Sequence, residues 1–131
     1  MRWKTARACK SYTFSASHRL TCVPKGHQCA RLHGHNYKVE VVIAGEMNPE
    51  KMWVQDFADI DKQMKPILDL LDHYHLNDIP GLENPTAECL AGWILSRYSC
   101  KNVYKIRVYE TDKCYAEVFN SEGRWPAELR M

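Results

Sequence analysis

His33-Gly34-His35-Asn36-Tyr37-Lys38-Val39-Glu40-Val41-Val42-Ile43-Ala44 reads as one β-strand. Tyr37, Val39, Val41 and Ile43 recur at every second residue and therefore share one face of an extended chain. The two histidines at its start obey the same period, so their imidazoles project from a common face and can reach one metal ion. Gly34, between them, is expected to let a substrate approach between the ligands.

Upstream, Ala8 to His18 forms a second alternating stretch, with Tyr12, Phe14, Ala16 and His18 on one face. Residues 20–32, with Pro24 and Gly26, read as the loop between these strands. If the strands pair as a hairpin, His18 comes beside His33 and His35 as a third donor. Downstream, Gly45 to Pro49 turns the chain. From Asp56 the period becomes helical: Phe57, Ile60, Met64, Ile67, Leu68 and Leu71 fall on one stripe, with Asp56 as N-cap. Pro66 is expected to kink or split that helix. A second helix starts near Asn84-Pro85-Thr86, capped by Asn84 or Thr86, and turns Leu90, Trp93, Ile94 and Tyr98 inward. Alternation returns with Tyr104, Ile106, Val108 and Glu110, and a last strand covers Cys114 to Phe119. The order ββααββ predicts an α+β domain spanning 1–131, an antiparallel sheet with both helices on one face. Trp125-Pro126, in a tail without period, is expected at most to pack somewhere.

Composition narrows the function classes. Lysine and arginine number 18 against 16 acids, a net charge of +2, and this balance gives no case for nucleic acid. No stretch approaches the roughly 20 apolar residues that span a bilayer, and the start lacks the apolar run of a signal peptide. The expectation is a cytoplasmic protein without membrane attachment. Its six cysteines then remain reduced thiols, and no Cys-x-x-Cys pair suggests a structural zinc knuckle.

Three histidines, 18, 33 and 35, with an open fourth position are the pattern of a catalytic zinc site. Cys29, four residues before His33, has two readings: a thiolate acting beside the metal, or a fourth ligand that closes a non-catalytic zinc module. His27 reads as a loop histidine and His75 as a surface or capping one. Asp72-His73, at the end of the first helix, is either a helix cap or a pair in which the aspartate orients the imidazole for proton transfer. Glu110 continues an apolar face, where a carboxylate either requires a partner or sits at an edge with access to solvent.

Cys29-Ala30-Arg31-Leu32-His33-Gly34-His35-Asn36-Tyr37, with Phe14-Ser15-Ala16-Ser17-His18-Arg19-Leu20, Asp56-Phe57, Leu71-Asp72-His73, Leu76-Asn77, Asn84-Pro85-Thr86 and Tyr109-Glu110-Thr111, resembles the 6-pyruvoyl-tetrahydropterin and 6-carboxytetrahydropterin synthases. The resemblance runs from about residue 10 to 118. It implies a tunnelling fold and a homohexamer of two stacked trimers with active sites at interfaces. It further implies zinc on His18, His33 and His35, Cys29 as general base, and Asp72 with His73 as a proton relay. Glu110 and Thr86 would contact the pterin. Three residues between the cysteine and His-Gly-His resemble the carboxytetrahydropterin branch, whereas five are typical of pyruvoyl enzymes. The implied substrate is 7,8-dihydroneopterin triphosphate, in the biosynthesis of queuosine and other 7-deazapurines, with pyruvoyl-type elimination as the alternative. Met52 stands where the family usually has a turn glycine, and Cys89 where it often has asparagine.

Overall fold

The computed structural model describes residues 3–100 and 102–123, so Trp125 and Pro126 lie outside the described residues. Two fourteen-residue strands, β1 (Thr5–His18) and β2 (His33–Glu46), pair antiparallel without interruption from Thr5↔Glu46 to His18↔His33. Helices α1 (Phe57–Leu71) and α2 (Ala87–Arg97) follow, then β3 (Val103–Thr111) and β4 (Cys114–Phe119). The sheet is antiparallel with strand order β1-β2-β3-β4, the tunnelling-fold arrangement. Among the described residues no helix is long and apolar enough to cross a membrane.

One face of the sheet buries Phe14, Ala16, Tyr37, Val39, Val41, Ile43, Ile106 and Val108 against Ile60, Met64, Ile67 and Leu71 of α1 and Leu90, Ala91, Trp93 and Ile94 of α2. Asp56 caps α1, its carboxylate accepting from Ala58 N at 3.0 Å. Contrary to the expected stripe, Phe57 is 49% exposed, and the buried face of α1 begins at Ile60. Pro66 does not split the helix: it sits on the solvent side, and the carbonyl of Lys62 that it frees is also on an exposed residue, where water can reach it.

Strand β3 departs from simple alternation. Val42 pairs with Lys105 but Ile43 with Val103, so Tyr104 is the extra residue of a β-bulge. Val103 takes the core position expected of Tyr104, and Tyr104 instead packs with Val42 and Ala44 on the opposite face, beneath the Arg7 guanidinium. On that face Glu117 receives Lys105 at 3.0 Å and Arg107 at 2.7 Å, and Arg107 also meets Glu40 at 3.4 Å. Burial would raise the Glu117 pKa, but these two cations outweigh it and hold the carboxyl below its ordinary range. Met52, in the turn before α1, adopts φ 63, the left-handed conformation in which glycine is favoured.

A candidate tri-histidine metal centre

The hairpin register sets His18 opposite His33, and strand alternation sets His35 on the same face. The outcome is a donor set in which one nitrogen from each of His18, His33 and His35 lies within 4.8 Å of the others. His18 Nε2 and His33 Nε2 are 3.0 Å apart. Backbone carbonyls fix both rings: His18 Nδ1 donates to Pro85 O at 2.8 Å and His33 Nδ1 to Arg31 O at 2.7 Å. A carbonyl only accepts, so in each neutral ring the proton sits on Nδ1 and the Nε2 lone pair is bare.

These residues fit a zinc ion on three counts. Nitrogen ligands of a tetrahedral zinc lie roughly 3.3 Å apart, close to the separation of the facing Nε2 atoms. His35 Nε2 is buried without a hydrogen-bond partner, as a nitrogen awaiting a ligand would be. Burial lowers the pKa of His18, which is 1% exposed, and of His35, favouring the neutral form that ligates metal. Glu110 Oε2, 3.5 Å from His35 Nε2, opposes that shift in His35 without reversing it.

Tyr37 forms the floor: its ring meets His35 edge-on at 5.3 Å and His18 at 5.9 Å, and it stacks on Phe14 at 5.0 Å. Gly34 does not serve as expected. It faces the other side of the sheet, where a Cβ would lie 3.3 Å from the carbonyl oxygen of Ala16, so its glycine answers to close backbone approach rather than to substrate access.

Cys29 lies in the 3-10 turn Gln28–Ala30 and is half-buried; its amide donates to His27 Nδ1 at 3.0 Å. Among the described residues the close donor set contains the three histidines and not Cys29, which disfavours the closed four-ligand module. Asp72 and His73 take the capping geometry. Asp72 is the C-cap of α1 and His73 follows at φ 66, and the segment lies along the outer edge of β1. Ser15 N donates to Asp72 Oδ1 at 3.0 Å, and His73 N donates to Ser15 O at 2.6 Å. The Ser15 amide and then His73 hold the Asp72 carboxyl below its usual range. The two side chains approach to 3.0 Å, yet His73 remains 81% exposed and neither residue joins the histidine set.

Thr86 is the N-cap of α2, accepting from Cys89 N at 3.1 Å, and it follows the Pro85 carbonyl that orients His18. Beyond it, Ala87 and Glu88 line a cavity of ≈ 200 Å³ together with Glu110, Cys114, Tyr115 and Ala116. Sequence reasoning missed Glu88 and the Pro85 and Arg31 carbonyls, whereas His75, read as a surface or capping histidine, is the N-cap of the 3-10 turn Leu76–Asp78, with its Nδ1 3.0 Å from Ser17 Oγ. The carbonyls have no side-chain signal; Glu88 was hidden in an ordinary helix start.

Comparison with known proteins agrees with this geometry. The family model "6-pyruvoyl tetrahydropterin synthase" matches residues 7–121. The 6-carboxy-5,6,7,8-tetrahydropterin synthase of Synechocystis is 34% identical over 119 residues, covering 85% of this chain and 91% of that protein. A dihydroneopterin monophosphate aldolase of Pyrococcus furiosus is 37% identical over 92 residues, 70% of this chain and 74% of its own. The solved 6-pyruvoyl tetrahydropterin synthase of Caenorhabditis elegans superposes with a TM-score of 0.82 at 27% identity, covering 89% of this chain and 96% of that one. With the hairpin, the three convergent histidines and the shared fold in agreement, the chain belongs to the 6-pyruvoyl tetrahydropterin synthase family.

Proposed function

We propose that this protein is a zinc-dependent 6-carboxy-5,6,7,8-tetrahydropterin synthase, converting 7,8-dihydroneopterin triphosphate and water to 6-carboxytetrahydropterin, acetaldehyde and triphosphate in queuosine or related 7-deazapurine biosynthesis. The observation that carries this reading is the tri-histidine set with only three residues between Cys29 and His33-Gly34-His35. The name of the Synechocystis relative supports the same branch.

His18, His33 and His35 would hold the zinc ion, whose Lewis acidity would polarise the side-chain hydroxyls of the substrate and make the neighbouring C–H protons easier to remove. Cys29 acts as the general base for such a proton. Glu110 accepts hydrogen bonds from the amino and ring N–H groups along one edge of the pterin. Thr86 keeps its O–H free to donate to the ring, since its oxygen serves α2 as an acceptor. Asp72 orients His73 for proton transfer. Their exposure on the β1 edge supports an active site completed between copies of the chain in a homohexamer, with a neighbour's dyad meeting this chain's histidines.

The test is incubation of the zinc-loaded protein with 7,8-dihydroneopterin triphosphate, with mass spectrometry of the products. 6-Carboxytetrahydropterin with equimolar acetaldehyde is the expected result. Pyruvoyl-tetrahydropterin as sole product assigns the chain to triphosphate elimination, and release of the side chain without a carboxyl product to aldolase chemistry.

A further inference from the structure

Residues 19–32, Arg19-Leu20-Thr21-Cys22-Val23-Pro24-Lys25-Gly26-His27-Gln28-Cys29-Ala30-Arg31-Leu32, hold three cations and no acid. The whole chain carries +2, so the remaining residues sum to 2 − 3 = −1. The protein's positive charge is therefore a property of this one loop. Its base is firmly held. Asn77 brackets the Arg19 backbone, accepting from its N–H at 2.9 Å and donating to its carbonyl at 2.8 Å. Asn84 Oδ1 accepts from Thr21 N at 2.9 Å, and Leu20 N donates to Cys29 O at 2.7 Å, which ties the two ends of the loop together.

On this base, Arg19, Leu20, Thr21, Val23, Lys25 and Ala30 line a cleft of ≈ 520 Å³. Among the described residues no carboxylate pairs with Arg19 or Lys25. Glu83, whose backbone carbonyl accepts from Thr21, turns its carboxylate instead to Gly81 N at 2.7 Å. The contrast with the far face of the sheet is direct, for there Lys105 and Arg107 are matched by Glu117 and Glu40. Cations gathered in a cleft without counter-charge create a local potential that favours an anion.

We propose that this cleft receives the triphosphate tail of the substrate, with Arg19 and Lys25 as phosphate ligands. The inference rests on the pterin-synthase reading above and deepens it by naming what recognises the leaving group. The cleft adjoins the chemistry: Arg19 directly follows His18, and the lining residue Ala30 directly follows Cys29, each about 3.8 Å away between Cα atoms. A guanidinium can engage two oxygens of one phosphate at once, while an ammonium adds a mobile point charge that accommodates the next. A substrate whose side chain lies at the three histidines then extends its charged end outward, toward solvent and product release.

The test compares the zinc-loaded parent with the Arg19→Gln, Lys25→Gln and double variants. In the double variant the KM for 7,8-dihydroneopterin triphosphate should rise about tenfold or more, with kcat within about twofold. Zinc content and the affinity for unphosphorylated 7,8-dihydroneopterin should match the parent. An unchanged KM overturns the assignment; so does an equal loss of affinity for both pterins, which places the two residues against the ring or in general support. Calorimetric titration of inorganic triphosphate, at concentrations that leave zinc bound, separates this proposal from the functional one. Binding by the parent that weakens about tenfold in the double variant sustains the cleft even if no carboxytetrahydropterin forms. Equal binding, or none by the parent, removes the cleft even if the product does form.

Discussion

Thr86→Ala removes one oxygen from the junction between the histidine cluster and helix α2, and its effect divides into two measurable parts. The Thr86 hydroxyl oxygen accepts from Cys89 N at 3.1 Å, while the Thr86 carbonyl receives Leu90 N at 2.9 Å and stays in place after truncation. What is lost is the cap alone, worth about 1 kcal/mol. Helix α2 buries Ala87, Leu90, Ala91, Trp93 and Ile94, so it cannot fray without opening the core, and the loss should appear in global stability. For a chain of this size that is a fall in Tm of about 3–5 °C. Thr86→Asp retains an acceptor and places a negative charge at the positive end of the helix, so it should melt at or above the parent. It lacks the hydroxyl proton, however, and should bind a non-reactive pterin about tenfold or more weakly. Calorimetric melting and pterin titration of the zinc-loaded proteins at one fixed concentration read the two parts separately. A Thr86→Ala protein that melts with the parent refutes the cap argument. A Thr86→Asp protein that binds pterin as the parent does refutes the hydroxyl donor.

His33→Ala and His35→Ala should each abolish stoichiometric zinc, since two remaining imidazoles make a poor site; full zinc by atomic absorption in either purified variant would falsify the ligand assignment. Cys29→Ala should keep zinc and lose turnover, and loss of both together would return the cysteine to the metal. Glu110→Gln should retain zinc and weaken pterin binding by about tenfold to a hundredfold, because an amide donor then faces a pterin donor; equal affinity at equal zinc content would remove Glu110 from the ligand site. Glu117→Gln should cost roughly 1–3 kcal/mol at pH 7 by leaving Lys105 and Arg107 half-buried without their carboxylate. Because the folded pKa of Glu117 is depressed, its contribution is present above the ordinary glutamate range and is lost as the pH falls through the folded value. The gap in urea midpoint between parent and variant should therefore narrow below about pH 4, and a gap independent of pH would contradict the ion-pair account.

The parts of the fold that sequence makes legible are those with an unbroken period. Hairpin register puts His18 opposite His33, and period two puts His35 on the same face, so the histidine cluster follows from alternation once the two strands pair. Tyr104 was misplaced because a bulge breaks the period without changing composition. Gly34 was misread because a glycine between two ligands suggests access, whereas its absent Cβ points to the opposite face. Asp72 and His73 were legible as a pair but not as a location: a helix end reveals its cap, while the strand edge against which it lies depends on tertiary packing. The carbonyls of Pro85 and Arg31 orient two of the histidines, and backbone atoms leave no trace in residue identity.

The bulge at Tyr104 gives β3 something like a reading frame. Lys105 to Tyr109 keep strict phase with β2 and β4, so a one-residue deletion inside that stretch would rotate the Glu110 that follows away from His35 and onto the far face. Deleting Tyr104 itself would instead close the bulge and leave Ile106, Val108 and Glu110 in phase, at the cost of the packing with Val42 and Ala44. Length changes arriving from the α2–β3 connection can thus be absorbed at one residue. The carboxylate beside the histidines is thereby insulated from a one-residue deletion on that side of the strand.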